Sequence, residues 1–197
     1  MSLEYAILGF LNYRPFSGYE LKRVLDESIH HFWPADQSQI YKSLSRLADR
    51  GLATVEVIAQ EDRPNRKVYH ITQEGRKEFL QWVGRTPDSE ELRKPFLIQV
   101  FFAGMLSDEE AIAVFEDKAA ELRGVLERYA AIDDSPTHGE KAGVPPRERF
   151  FWYLTLECGT WAMQRELDWL EKTIERIRNK EYEAGPRILP PPQSKES

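Results

Sequence analysis

The sequence has a single cysteine, no long apolar run and no cluster of glycines, and each absence excludes a class of protein. Cys158 alone cannot form an intramolecular disulfide, which fits a reducing cytoplasm. No run of about 18 apolar residues is present, so we expect no membrane-spanning helix. The first residues lack the basic flank and cleavage site of a secretory signal, so we expect a cytoplasmic protein. The 11 glycines are scattered, which argues against a glycine-rich phosphate loop.

Residue groups that carry catalysis or bind metals are also missing. His30 and His31 are adjacent, and neighbouring side chains on a helix point about 100° apart, so the pair is poorly placed to share one ion. His70 and His138 have no partners at ligand spacing. Cys158 has no nearby His or Asp, and we expect it to be a small buried apolar residue. The sequence therefore predicts no metal, no cofactor and no enzyme.

Charge is distributed unevenly along the 197 residues, whose formal net charge is -6. Residues 1–86 hold 12 lysines and arginines against 11 aspartates and glutamates, which gives a net charge of +1. Residues 87–197 have a net charge of -7. Local charge decides whether a surface can approach phosphate, so the first segment remains compatible with nucleic acid.

The first 86 residues predict three helices, a hairpin and a fourth helix. An apolar run over residues 3–11 gives the first helix, and Ser17 is a suitable N-cap for a second that runs to Trp33-Pro34. Asp36 or Ser38 begins the third helix. Two runs rich in β-branched residues then surround a polar turn, and Thr72 caps the fourth helix. This order predicts a winged helix-turn-helix domain over residues 1–86.

Residues 87–184 predict a helical domain. An apolar helix over 90–106 precedes a helix that begins with the capping box Ser107-x-x-Glu110. A long helix follows from about Arg147 to Tyr182, and its apolar stripe is suited to packing against another helix, in part from a second subunit. The stripe consists of Leu156, Met163, Leu167, Leu170, Ile174 and Ile177. The Pro-rich tail 185–197 is expected to be disordered. The predicted fold class is therefore mainly α with a small β-hairpin, a winged helix-turn-helix followed by a helical dimerisation domain.

The third helix has an outer face suited to reading DNA. With Ile40, Leu44 and Leu47 turned inward, that face is polar and cationic, which is the chemistry of base-edge and phosphate contacts. An ordinary amphipathic helix with a solvated face gives the same pattern. The candidate residues are Ser38, Gln39, Tyr41, Lys42, Ser45 and Arg46. Gln39 is the main candidate for a base contact, since an amide can pair with two edge atoms of adenine.

The predicted hairpin adds a second positive group. Arg63, Arg66 and Lys67 lie at its tip and at the start of its second strand. A basic wing beside a polar helix can bind the phosphates that flank the groove. Protection of an exposed strand edge by charge is the alternative.

Three runs of the first segment resemble the PadR family of winged-helix regulators. They are SGYELKRVL (17–25), QIYKSLSRLADRGL (39–52) and RKVYHITQEGRKEFLQW (66–82), in the family's order. The match is specific over residues 3–84. FFWYLTLECGTWAMQRELDWLEKTIERI (150–177) resembles the longer helical C-terminal domain of one PadR subgroup.

The resemblance implies a homodimer that binds an inverted repeat in double-stranded DNA, usually as a repressor. Some relatives release DNA when they bind aromatic compounds. By position, Tyr41 and Lys42 would contact the DNA backbone. Ser38 and Gln39 would face the groove, and Arg66 and Lys67 would belong to the wing.

Aromatic residues are frequent in the second segment, which favours either a core with a dimer interface or a pocket for an aromatic effector. In the second case Trp152 or Trp161 would stack on the ligand. A winged helix that binds protein instead of DNA is the rival function. It predicts apolar residues on the outer face of the third helix, and Gln39, Lys42 and Arg46 argue against it.

Overall fold

The computed structural model describes residues 2–60, 65–87, 93–132 and 144–185. The chain divides into two compact units, Met1–Glu90 and Glu91–Ser197. The predicted wing tip with Arg63 and the Pro-rich tail from residue 186 onward lie outside the described residues. Helices dominate and one small antiparallel sheet is present, which confirms the predicted fold class.

The first unit contains four helices, three of which begin at N-caps with a side-chain hydrogen bond. Ser17 and Thr72 are N-caps as predicted, and Asp36 caps the third helix in place of the alternative Ser38. The helices are α1 (Ser2–Tyr13), α2 (Gly18–Ser28), α3 (Gln37–Asp49) and α4 (Gln73–Val83).

Helix α2 is shorter than the sequence predicts. It ends at Ser28, and the amides of Phe32 and Trp33 both donate to the Ile29 carbonyl in a turn. Phe32 is 50% exposed and Trp33 40% exposed, so burial does not stabilise a longer helix. Apolar spacing alone does not reveal that these rings lack a surface to pack against.

The sheet has three strands in the order β1-β3-β2, all antiparallel. Strands β2 (Ala53–Ile58) and β3 (Arg66–Ile71) form the predicted hairpin. Strand β1 (Phe16–Ser17) pairs Phe16 with Tyr69 and Ser17 with Val68. Two residues are too few to show a strand period, so the sequence did not predict β1.

The core of the first unit fixes which face of α3 reaches solvent. Ile40, Leu44 and Leu47 are 0% exposed, as their spacing predicts. They pack with fully buried residues of α1 and α2, namely Ile7, Leu8 and Leu21. Each such side chain contributes about 1.5–3 kcal/mol by burial. The rotation of α3 about its own axis is therefore strongly determined.

The described residues of the second unit form three α-helices. They are α5 (Pro95–Phe102), α6 (Asp108–Ala130) and α7 (Pro146–Arg178), with 3-10 turns at Ala103–Met105 and Glu181–Ala184. Ser107 and Glu110 form the predicted capping box of α6. The apolar helix is shorter than predicted because Pro95 begins it and the 3-10 turn ends it. Helix α7 ends four residues before Tyr182, since Lys180 adopts a left-handed conformation with φ 53°.

Most of the α7 stripe belongs to the core of its own unit, since three of its six residues are buried there and Met163 and Ile177 pack against them. Leu167, Leu170 and Ile174 are buried against residues of α6, among them Phe115 and Leu122. The expectation that this stripe packs in part against a second subunit is wrong for Leu170, because that side chain is 0% exposed within this chain. Cys158 also departs from expectation, since it lies exposed on α7. No helix of the described ranges is both long and apolar enough to cross a membrane.

Candidate nucleic-acid interface

The outer face of α3 is polar and exposed. All six side chains predicted to contact DNA are exposed there, so burial removes none of them. Lys42 forms no ion pair with any residue of the described ranges. An ammonium group that is exposed and unpaired can bind a phosphate without first losing a protein partner. The six residues are Ser38, Gln39, Tyr41, Lys42, Ser45 and Arg46.

Gln39 also has a structural role at the start of α3. Its Oε1 accepts a hydrogen bond from the Asp36 amide at 3.1 Å, and its own amide donates to Asp36 Oδ1 at 2.8 Å. This reciprocal pair is a capping box, and the spacing Asp36-x-x-Gln39 is its signal in the sequence. The amide oxygen is therefore engaged, and Nε2 remains for a further contact.

Tyr41 is positioned by the close approach of α2. A Cβ atom added to Gly18 would lie 2.4 Å from Tyr41 Cε1, closer than any real contact. Gly18 therefore allows the start of α2 to pack on the ring, while the Tyr41 side chain stays 41% exposed. The Gly of the SGY run is required by this packing.

Arg46 and Arg50 connect α3 to α1 and α4. Arg50 Nη1 lies 3.0 Å from Glu4 Oε2, and its Nη2 pairs with Glu78. Burial by itself lowers the pKa of Arg50, but the Glu78 and Glu4 carboxylates outweigh it and raise that pKa. Arg46 Nη1 lies 3.7 Å from Glu4 Oε1, with 68% of its side chain exposed. The sequence did not predict the ion pairs of Arg50, because Glu4 and Glu78 are distant from it in sequence.

Two of the three predicted wing cations lie on β3, where consecutive side chains point to opposite faces of the sheet. Arg66 Nη2 lies 2.7 Å from Glu20 Oε2, so the guanidinium contacts the start of α2. Lys67 is exposed and has no ion-pair partner within the described ranges. Arg63 lies outside them. The wing therefore presents one engaged cation and one available cation on opposite faces of β3.

The second unit contains an open cavity of about 300 Å³ between α5 and α7. Its lining combines one indole, apolar carbon and charged groups, namely Lys94, Leu97, Ala162, Arg165, Glu166 and Trp169. Lys94 Nζ pairs with Glu166 Oε2 at 2.6 Å. The predicted effector residues Trp152 and Trp161 do not line it, and Trp161 is 64% exposed.

Comparison with known families identifies both parts of the chain. Residues 7–81 match the model of the transcriptional regulator PadR-like family, and residues 92–178 match the virulence activator alpha C-terminal family. The negative transcriptional regulator PadR of Bacillus subtilis (strain 168) is 31% identical over 186 residues, which cover 89% of this chain and 97% of that protein. The chain belongs to the PadR-like family. It is a PadR-like transcriptional regulator.

Solved PadR structures have the same fold. The crystal structure of Bacillus subtilis PadR in complex with operator DNA has a TM-score of 0.76 and 29% identity, covering 90% of this chain and 99% of that chain. The structure of the same protein in complex with p-coumaric acid has a TM-score of 0.73 and 28% identity over the same shares. The predicted resemblance and the winged-helix fold are confirmed. The roles of individual residues of this PadR-like chain remain predictions.

Proposed function

We propose that this chain is a cytoplasmic repressor that binds an inverted repeat in double-stranded DNA as a homodimer and releases it on binding an aromatic effector. The observation that carries the proposal is the outer face of α3, where polar and cationic side chains are exposed opposite a fully buried apolar face. The Bacillus subtilis PadR complex with operator DNA supports the same ligand for this chain. The rival protein-binding function needs an apolar outer face, which α3 lacks.

The proposed contacts divide into base-reading and phosphate-binding groups. Ser38 and the Gln39 Nε2 group approach base edges at the start of α3, the end of a recognition helix that enters the major groove. Tyr41, Lys42 and the wing cations bind the flanking phosphates. Residues 1–86 form the DNA-binding domain, 87–184 the dimerisation and effector domain, and 185–197 a separate tail.

The proposed dimer uses apolar side chains that the second unit leaves exposed. Phe101 is 82% exposed and Met105 85% exposed, and on α7 Phe150 and Trp161 are 59% and 64% exposed. Exposed apolar groups of this number mark an interaction surface. A second copy of the chain fits because two recognition helices about 34 Å apart match successive major grooves.

The proposed effector is an aromatic acid that binds in the cavity between α5 and α7. Trp169 offers an indole face, and Arg165 has no ion-pair partner among the described residues. An aromatic acid can therefore stack on the Trp169 indole while its carboxylate accepts a charge-assisted hydrogen bond from Arg165. The p-coumaric acid complex of Bacillus subtilis PadR supports this chemical class.

The family of regulators and the lack of a catalytic constellation in the sequence support a function other than catalysis.

The DNA-binding proposal is tested with Lys42→Ala. The probe is a 30-base-pair duplex that the wild-type chain selects from a random-sequence pool. We expect Lys42→Ala to weaken binding by about 1 kcal/mol per subunit and to lower the slope of log affinity against log salt by about 1 per lysine removed. Lys172→Ala on the acidic second unit is the matched control and should leave both unchanged. Gln39→Ala should relax the preference at one base position per half-site. Unchanged affinity for both Lys42→Ala and Gln39→Ala would remove α3 from the interface.

A further inference from the structure

Arg66 and Glu20 connect the loop end of the β2–β3 hairpin to the start of α2. Arg66 is the first residue of β3, and its Nη2 lies 2.7 Å from Glu20 Oε2. The two side chains are 43% and 25% exposed, so the pair is partly shielded from solvent. Forty-five residues separate the partners in sequence, so the contact joins two elements of the fold.

Glu20 is a fixed acceptor because the N-cap of α2 holds it. Its Oε2 accepts hydrogen bonds from the Ser17 amide at 2.8 Å and from the Ser17 hydroxyl at 2.7 Å. Partial burial raises the pKa of the Glu20 carboxyl, but the bonds from Ser17 and Arg66 outweigh it and lower that pKa to about 2. Glu20 is therefore ionised at neutral pH and cannot follow Arg66 away from the helix cap.

The ion pair acts where the sheet gives the wing least support. Strand β1 pairs with β3 only at Val68 and Tyr69. Arg66 lies two residues beyond that contact, and it forms with Ile58 the last pair of the β2–β3 ladder before the hairpin loop. Within the sheet this end of the wing pairs with β2 alone, and the ion pair adds a contact with α2.

We propose that Arg66 is a positioning residue, which sets the angle of the wing by binding Glu20, and that Lys67 supplies the wing's contact with phosphate. The proposal rests on the DNA binding proposed above and changes the role of one of its residues. A guanidinium is suited to this task, because it can bind a carboxylate in fixed geometry.

Glu20→Gln separates this role from direct DNA binding by the sign of its effect. Glutamine also serves at the third position of a capping box, so the start of α2 is kept while the charge that holds Arg66 is lost. If Arg66 bound phosphate, the substitution would free it and remove a negative charge, and DNA binding would strengthen. A positioning role predicts the opposite, a loss of several-fold in affinity.

The experiment compares Glu20→Gln, Arg66→Gln and the double variant on the selected 30-base-pair duplex. Lys67→Gln should also lose affinity, because it removes the phosphate contact, and it is the control for hydrogen exchange only. We expect Glu20→Gln and Arg66→Gln to lose affinity to a similar degree, and the double variant to lose no more than either. Hydrogen exchange of the free protein should quicken at residues 57, 58, 66 and 67 in both variants and remain at the wild-type rate in Lys67→Gln. Tighter DNA binding by Glu20→Gln, or wild-type exchange in that variant, overturns the proposal. If the wild-type chain selects no duplex, the DNA-binding proposal fails, and hydrogen exchange still decides the role of the ion pair.

Discussion

Gly75 lies where the first turn of α4 packs against the backbone of Leu52, the residue before β2. A Cβ atom at this position would lie 2.1 Å from the Leu52 carbonyl oxygen. The Thr72 amide donates to the same carbonyl at 3.1 Å, so moving that carbonyl away would break a hydrogen bond. The glycine in the ITQEG run is therefore required by the packing of backbone on backbone. Gly18 has a comparable role against the Tyr41 ring.

We expect Gly75→Ala to destabilise the first unit by about 2–3 kcal/mol, because the helix must move away from Leu52. Gly124→Ala in α6 is the matched control. Its added methyl group meets only the flexible end of Arg128 at 3.6 Å, and alanine favours a helix interior by about 0.5–1 kcal/mol. Thermal unfolding of both variants checks this. A Gly75→Ala protein as stable as wild type would show that α4 can shift without cost.

At the scale of elements, α7 has two halves with different roles. Its C-terminal half packs against α6 through Leu167, Leu170 and Ile174, and Arg123 pairs with Glu171 beside that contact at 2.6 Å. Its N-terminal half keeps Phe150, Phe151 and other apolar side chains exposed. One helix therefore completes a core at one end and offers an apolar surface at the other.

An aspartate should have different effects in the core of the second unit and on its exposed apolar surface. Leu170→Asp should unfold the second unit, at a cost of about 4 kcal/mol or more, because an unpaired carboxylate enters the core. Phe101→Asp on α5 should leave the helical content intact and produce a folded monomer. Sedimentation and circular dichroism of both variants distinguish these outcomes. A folded Phe101→Asp dimer would exclude the exposed face of α5 from the interface.

At the scale of the whole molecule, the proposed function requires the second unit to influence DNA binding by the first. A ligand can do so only through different affinities for the DNA-competent and the released states, and the coupling is reciprocal. A coupling of about 1–3 kcal/mol corresponds to a change of about 5–150-fold in affinity. The effector cavity of α5 and α7 is the place where this difference would arise.

We expect p-coumaric acid to quench the tryptophan fluorescence of the protein and to weaken its binding to the selected duplex. Trp169→Phe should remove most of the quenching, since the indole lines the cavity. Trp161→Phe is the same substitution elsewhere on α7 and serves as the control. If quenching persists in Trp169→Phe and disappears in Trp161→Phe, the ligand binds near Trp161 and not in the cavity. No quenching and no change in DNA affinity would exclude this acid as the effector.

The sequence by itself determined the order of the helices in the first unit, the caps Ser17 and Thr72, the hairpin, and the family. These follow from local patterns, such as the spacing of Ile40, Leu44 and Leu47 and the oxygen-bearing side chains of Ser17 and Thr72, and from motifs that extend over neighbouring residues. The outer face of α3 was predicted for the same reason, since a helix with one buried face must expose the other. Local physical chemistry is sufficient for features of this kind.

Only the tertiary structure decided which partner each side chain takes. Arg66 pairs with Glu20, and Arg50 pairs with Glu4 and Glu78. Leu170 lies in the core of its own unit and not at a contact with a second subunit. Helix α2 stops at Ser28, and the Phe32 and Trp33 rings that follow it are only about half covered. These outcomes depend on which residues, distant in sequence, approach one another when the chain folds, and no periodicity or cap records such distances.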